Sequence, residues 1–301
     1  MSKLNTIVVC GATGKQGGAV LDALLESGKW NPVAITRDIR SQKATEIKGK
    51  GVPLLFADLA DKPSLVKAFK GAYAVYGVTM PVNPRGKLDT EYEWKQGQNM
   101  VDACVANNIQ HLVLSTVLYI EEDQENNLTY IKKKVAIENL VKEKNIPFTF
   151  LCPGSFMDDF GGEYLPVKKN IIRGMASNDT KIPHIACRDI GKFAAMAFEE
   201  PGKFVGQKLN LIGDFMSGNE LAALASKLSN GKTTYKHKPV SIVLMWLFAR
   251  TFISLRRHFE RWGQAPYPDE MLSAIKQTKE LRPETLTFAQ YLKWKGWDKR
   301  L

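Results

Sequence analysis

Thr6-Ile7-Val8-Val9-Cys10-Gly11-Ala12-Thr13-Gly14-Lys15-Gln16-Gly17-Gly18-Ala19-Val20 joins an apolar run to a glycine-rich turn and the start of an amphipathic stretch. The run from Thr6 to Cys10 is β-branched and apolar, which reads as a buried strand. Glycines at 11, 14 and 17 follow at once. Val20, Leu21, Leu24 and Leu25 then recur at helical spacing until Gly28, so a helix is predicted over 17–27. In a strand–turn–helix unit, Gly11 permits the tight turn and Gly14 lets backbone come close to a pyrophosphate. Gly17 lets the helix pack on the sheet. The start of such a helix offers N–H groups and a partial positive charge to phosphate. Thr13, Lys15 and Gln16 are candidate side-chain contacts there. The spacing differs from the better-known Gly-x-Gly-x-x-Gly, but the mechanics are the same. A glycine turn without a ligand is the alternative.

Outward from this unit, short apolar runs alternate with amphipathic stretches. Strands are predicted over 32–36, 53–57, 72–79, 111–116 and 148–152, and helices over 62–69, 91–107 and 130–144. This alternation is that of an α/β, Rossmann-type, doubly wound and mainly parallel sheet. After Pro153 the regularity breaks. Residues 154–186 read as irregular, with helices over 188–199, 217–228, 242–262 and 287–292 and a late strand over 208–212. The expected organisation is a dinucleotide-binding core, 1–153 continued by 187–213. A smaller substrate- or partner-side region, 154–186 and 214–301, is expected over the carboxyl ends of the strands, where open α/β sheets bind ligands.

The 301 residues are 44% hydrophobic and 24% charged, an ordinary globular balance. The apolar stretch from Ile242 to Ala249 falls short of the roughly 20 residues of a membrane span, so a cytoplasmic protein is expected. Cys10, Cys104, Cys152 and Cys187 are widely spaced and read as reduced, buried thiols. Neither they nor the four histidines have metal-ligand spacing. The formal net charge of +11 suits phosphate-bearing ligands, an anionic membrane or nucleic acid. No nucleic-acid-binding motif accompanies it, and a solvated basic surface is the preferred reading. The basic, half-apolar segment 242–262 has three functional readings: a lid, a partner or dimer surface, and a helix lying on a membrane. Packing on the core is preferred to all three.

The end of the second strand reports the dinucleotide type. An acidic residue there accepts from ribose hydroxyls in NAD sites. Here Arg37 follows Thr36, and a guanidinium can clamp a 2′-phosphate bidentately, so NADP(H) is expected. Arg40 and Lys43 add to the field; Asp38 is the counter-argument. Asp58 and Leu59 after the third strand either flank the adenine or form a plain strand-end turn. Tyr130 and Lys134 form a Tyr-x-x-x-Lys pair one turn apart, in which a nearby ammonium lowers the phenol's pKa for proton donation. Lys134 is also a candidate holder of the nicotinamide ribose, and Ser115, ending the fifth strand, a candidate for the substrate oxygen. Tyr164 with Lys168 and Tyr291 with Lys295 match the same pattern, so chance is the competing explanation.

On Gly11 to Gly18, Thr36-Arg37, Lys134, Leu151 to Met157 and Pro201 to Gln207, the chain resembles the NmrA-like family of atypical short-chain dehydrogenase/reductases across nearly its whole length. The resemblance implies an extended Rossmann core with a variable C-terminal region. It also implies that the loops Thr79-Met80-Pro81 and Pro153 to Phe156, including Ser155, line the nicotinamide. Some members are NADP-binding regulators that engage protein partners and lack the catalytic tyrosine; others reduce quinones or related carbonyl compounds. Lys134 matches the family's lysine, and Tyr130 restores the tyrosine that sensor members lack. A reductase of a small quinone or carbonyl substrate is expected first, a cofactor-sensing regulator second, and a nucleic-acid binder last, as monomer or dimer.

Overall fold

The computed structural model describes residues 4–119, 129–162, 165–230, 232–241, 251–264 and 267–297. It divides into two compact units, Met1–Cys152 with Cys187–Leu209, and Pro153–Ala186 with Asn210–Leu301. The strands in chain order are β1 (Thr6–Val9), β2 (Asn31–Thr36), β3 (Leu54–Phe56), β4 (Ala74–Val78), β5 (His111–Ser115) and β6 (Phe148–Pro153). They continue with β7 (Ser155–Phe156), β8 (Val167–Lys168), β9 (Ile171–Gly174), β10 (Lys181–Ile185), β11 (Gln207–Leu211), β12 (Asp214–Ser217) and β13 (Lys236–Pro239).

Among the described residues, the first unit is built on a seven-stranded sheet in the order β11-β6-β5-β4-β1-β2-β3. β1 pairs parallel with β2 and β4, β2 with β3, β4 with β5, and β5 with β6. The expected Rossmann-type sheet is present. β4 and β5 are buried along their whole length, the signature of parallel strands covered on both faces. The chain runs outward from β1 to β3 on one side, then restarts at β4 on the other. That reversal puts the topological switch point between β1 and β4, where ligands bind outside the carboxyl ends of strands.

Helices of this unit are α1 (Lys15–Ser27), α2 (Gln42–Gly49), α3 (Lys62–Ala68), α4 (Thr90–Ala106), α5 (Thr129–Glu143), α6 (Cys187–Glu199) and α7 (Pro201–Phe204). Two glycines let helices approach closely. A Cβ at Gly191 of α6 would stand 2.3 Å from the Ala19 carbonyl oxygen of α1. A Cβ at Gly97 of α4 would stand 2.5 Å from Ile137 Cδ1 of α5. Met100, Val101 and Cys104 of α4 join Ile137 and Val141 of α5, with Val75, Leu112 and Phe150 of the sheet, in one core.

The second unit corrects one expectation. Residues 154–186 are not irregular: β7, β8, β9 and β10 lie within them. β10 pairs with β12 and β7, and β9 with β13 and β8. These strands are two to five residues long, too short for alternation to stand out from the Gly, Asp and Lys around them. The helices are α8 (Gly218–Leu228), α9 (Thr251–Arg261), α10 (Tyr267–Leu281) and α11 (Phe288–Trp294). Capping boxes start two of them, Ser217 with Glu220 and Thr287 with Gln290, each satisfying two end N–H groups reciprocally. Met157, Leu221, Phe288 and Leu292 form a core of this unit.

The expected helix over 242–262 lies outside the described residues from 242 to 250; from Thr251 to Arg261 it is helical. Its end is packed: His258 and Trp262 are buried, and Arg256 Nη1 donates to the Val240 carbonyl at 2.7 Å. No helix among the described residues is long and apolar enough to cross a membrane.

Candidate active site at the carboxyl ends of β1, β4 and β5

The glycine turn is closed by its own backbone. Gly11 sits at φ +63°, and a Cβ there would also meet Val78 Cγ1 at 2.8 Å. Gly14 N–H donates to the Gly11 carbonyl at 2.8 Å. Gly17 lies against the same peptide, where a Cβ would stand 2.3 Å from the Gly11 oxygen, so a methyl there would push α1 off the turn. Gly14 is exposed and is the N-cap of α1, with no side chain to cap and no acidic residue in the first turn. The helix start is thus left positive and open to an anion.

Gln16 reaches back under the turn. Its Oε1 accepts from Ser115 Oγ at 2.7 Å and from the Tyr76 hydroxyl at 3.3 Å. Burial pushes the Tyr76 phenol well above its ordinary value, so it stays protonated. Ser115, buried at the end of β5, thus has its hydroxyl hydrogen engaged by Gln16.

One strand along, past the end of β4, stands a compact charged cluster. Lys134 Nζ of α5 donates to the Thr79 carbonyl at 3.1 Å and to Thr79 Oγ1 at 2.8 Å, and pairs with Glu93 Oε1 of α4 at 2.8 Å. Thr79 Oγ1 in turn donates to Glu93 Oε1 at 2.9 Å. The Glu93 side chain is fully buried, and Oε2 has no hydrogen-bond partner among the described residues. Next to it, Gln96 clamps Met80 by both backbone groups: Met80 N–H donates to Oε1, and Nε2 donates to the Met80 carbonyl, each at 3.1 Å. The Met80 side chain is left 54% exposed beside the cluster, an apolar surface next to a cation.

At the end of β2, Arg37 is exposed, whereas Asp38 is committed to its own loop: Oδ1 accepts from the Arg40 N–H at 2.9 Å. Asp58 is likewise committed, since Oδ1 accepts from the Ala60 N–H at 2.8 Å, and the Leu59 carbonyl accepts from Asn99 Nδ2 at 2.9 Å. The structure therefore brings Gln16 to Ser115 and Lys134 to Thr79. Thr13 lies on the turn itself, and Lys15 is the first residue of α1. Pro153, Ser155 and Phe156 belong to the second unit, where Ser155 pairs with His184 and Phe156 with Ile185. Tyr130 contributes backbone to the first turn of α5, and its side chain lies outside the described residues, as does Tyr164. Tyr291, of the third matching pair, is buried in the second unit's core against Phe288.

The four cysteines are buried. Burial pushes the Cys10 and Cys152 thiols up to about 12, which keeps them protonated and unreactive near neutral pH. Glu93, Gln96 and Tyr76 were not among the expected site residues. The sequence does carry a signal for the first two: Glu93 and Gln96 stand in register with Gly97, Met100, Val101 and Cys104, two polar side chains on an apolar stripe.

The chain is similar to a curated relative and, in fold, to solved structures. An NmrA-like family domain-containing protein of Dictyostelium discoideum is 24% identical over 244 residues, 76% of this chain and 79% of that one. The negative transcriptional regulator NmrA superposes with a TM-score of 0.75 at 20% identity, covering 96% of this chain and 94% of that one. Citrobacter sp. triphenylmethane reductase, complexed with NADP(H), does so with a TM-score of 0.74 at 20% identity, covering 97% and 99%. The model of the NmrA-like family matches residues 3–296. This chain belongs to the NmrA-like family.

Proposed function

We propose that the chain binds NADP(H) and uses it to reduce a small, flat, mainly apolar quinone or carbonyl compound. The observation that carries the reading is the half-buried Lys134 ammonium held past the end of β4, one strand from the open glycine turn that follows β1. The residues fit a dinucleotide: a turn that side chains would fill at Gly11 and Gly17, an uncapped helix start, and a fixed cation beside them. In this reading the first turn of α1 holds the pyrophosphate and Lys134 the nicotinamide ribose. Arg37 takes the 2′-phosphate; Asp38, spent on its own loop, offers little competition for a ribose hydroxyl. The bound cofactor supplies a hydride. Tyr130 donates the proton that the reduced oxygen takes up, its phenol made more acidic by the Lys134 charge. Exposed Met80 offers apolar contact to a flat ring.

A second reading is supported by the same bonds. Ser115 donates to Gln16, and Lys134 is bonded to Thr79 and Glu93, so both polar groups are closed on protein partners. That suits a protein which senses NADP(H) and signals to a protein partner rather than turning the cofactor over.

The deciding experiment follows the absorbance of NADPH with the purified protein and a panel of quinones and aldehydes. Turnover is expected, and Tyr130→Phe should abolish it while cofactor affinity stays within about twofold, as only the proton donor is removed. NADPH binding with no turnover of any compound would replace the reductase by the sensor.

A further inference from the structure

We infer that Glu93 is the positioning residue for the cofactor-binding lysine: it fixes where the Lys134 ammonium stands without itself touching the dinucleotide. The inference rests on the dinucleotide reading above.

Glu93 lies in the first turn of α4, on the stripe that continues through Gly97, Met100, Val101 and Cys104. Stability alone does not call for a carboxylate here. Taking an ion pair out of water costs several kcal/mol per ion, and apolar replacements of similar volume are often as stable or more so. The arrangement is also incompletely satisfied, because Oε1 carries both bonds while buried Oε2 has no partner among the described residues. A native structure that keeps such an orphan calls for an explanation other than packing.

The geometry supplies one. The close approach at Gly97 and Ile137 brings α4 and α5 together, and Glu93 and Lys134 meet one helical turn away. The three N–H donors of the ammonium are all engaged, two by Thr79 and one by Glu93. The carboxylate bond is charge-assisted and the Thr79 bonds are to neutral oxygens, so the latter are the weaker and exchangeable ones. A ribose hydroxyl can take the place of a Thr79 contact while Glu93 keeps the flexible lysine stem anchored. Lys133 and Glu91 form a neighbouring pair between the same two helices at 2.7 Å, but Glu91 is 73% exposed, which makes that pair an internal control.

The test measures NADPH dissociation constants by cofactor fluorescence, with urea unfolding of each variant in parallel. Glu93→Gln should weaken NADPH at least about tenfold, as expected when one partner of a buried charge pair is removed. In a Lys134→Met background the same change should alter the constant less than about twofold, and Glu91→Gln should have no effect in either. If Glu93→Gln does not fold, Thr79→Val, which removes the hydroxyl bonded to both charges, must show the same dependence on Lys134. Unchanged affinity in Glu93→Gln overturns the inference while the dinucleotide reading stands. An equal loss with and without Lys134 also overturns it, since it marks a merely structural role. A wild-type protein that binds no NADPH overturns both.

Discussion

β5 carries a buried polar side chain at each end, and the two ends are managed differently. At the amino end, His111 Nε2 meets Thr149 Oγ1 at 2.8 Å, and that hydroxyl donates to the Phe204 carbonyl at 2.7 Å. The hydroxyl's hydrogen is therefore spent, so Nε2 carries a proton, and burial, which lowers the pKa to about 4, keeps the ring neutral near pH 7. Nδ1 is buried without a hydrogen-bond partner among the described residues, and the ring meets Phe198 edge to face. At the carboxyl end, Ser115 donates to a side chain of the glycine turn, and one strand away a carboxylate and an ammonium are held together in the interior. One end buries neutral polarity inside the sheet's own packing. The other keeps charge next to an open helix start. Polar burial at the amino end thus stays within the sheet's own packing, whereas at the carboxyl end it stands where open α/β sheets bind their ligands.

Breaking the carboxyl end should have the largest effect. Lys134→Met leaves the Glu93 carboxylate buried and unpaired, which should cost about 3–5 kcal/mol in urea unfolding. Adding Glu93→Leu should return most of that stability, because the apolar stripe of α4 then runs unbroken to its first turn. NADPH binding should stay weak in the double variant. Recovery of binding together with stability would erase the distinction between the two ends.

The amino end should respond to pH instead. Burial lowers His111 from the ordinary 6.5 to about 4. The unfolded chain therefore takes up its proton first as the solution is acidified. The stabilising contribution is complete above about pH 6.5, is lost as the pH falls towards 4, and changes no further below that. The loss comes to about 3 kcal/mol. His184 of the second unit is also lowered to about 4 by burial and adds a loss of the same sign. The His111 part is therefore read as the difference between wild type and His111→Gln in urea titrations between pH 7.5 and 4.5. A difference that stays constant across that range would refute the assignment. At pH 7.5 the variant should bind NADPH as the wild type does.

Legibility followed the same physics. Strands β1, β4 and β5 were readable because both faces are buried, which demands continuous apolar runs such as Ile7 to Val9, Ala74 to Val78 and Leu112 to Leu114. The glycine turn was readable because Gly11 and Gly17 each occupy a place no other residue fits. Short β7 to β10 were not, since a strand of two to five residues has too few positions to show a period. Helix α2 escaped as well: it presents only Ala44 and Ile47 to the interior and reads as a polar loop. The Lys134 partner escaped for another reason. Glu93 is 41 residues away in sequence, and only the close approach of α4 and α5 at Gly97 brings the two together. Glu and Gln on an apolar stripe hinted at burial, but not at what they faced.

The smallest effect is expected at the end of β2, on the surface. Arg37 is exposed, so Arg37→Ala should change stability by no more than about 0.5 kcal/mol. Its consequence lies in the choice of cofactor. A guanidinium reads a 2′-phosphate through charge-assisted bonds that NADH, lacking that phosphate, never forms. The variant should therefore weaken NADPH about tenfold or more and NADH less than about twofold, measured by the same fluorescence titration. The comparison of the two ends then gains a third kind of residue, one that carries binding without carrying fold. Equal weakening of both dinucleotides would remove Arg37 from the phosphate. Asp38 would then have to leave the Arg40 N–H and turn towards a ribose hydroxyl, reversing the preference to NAD.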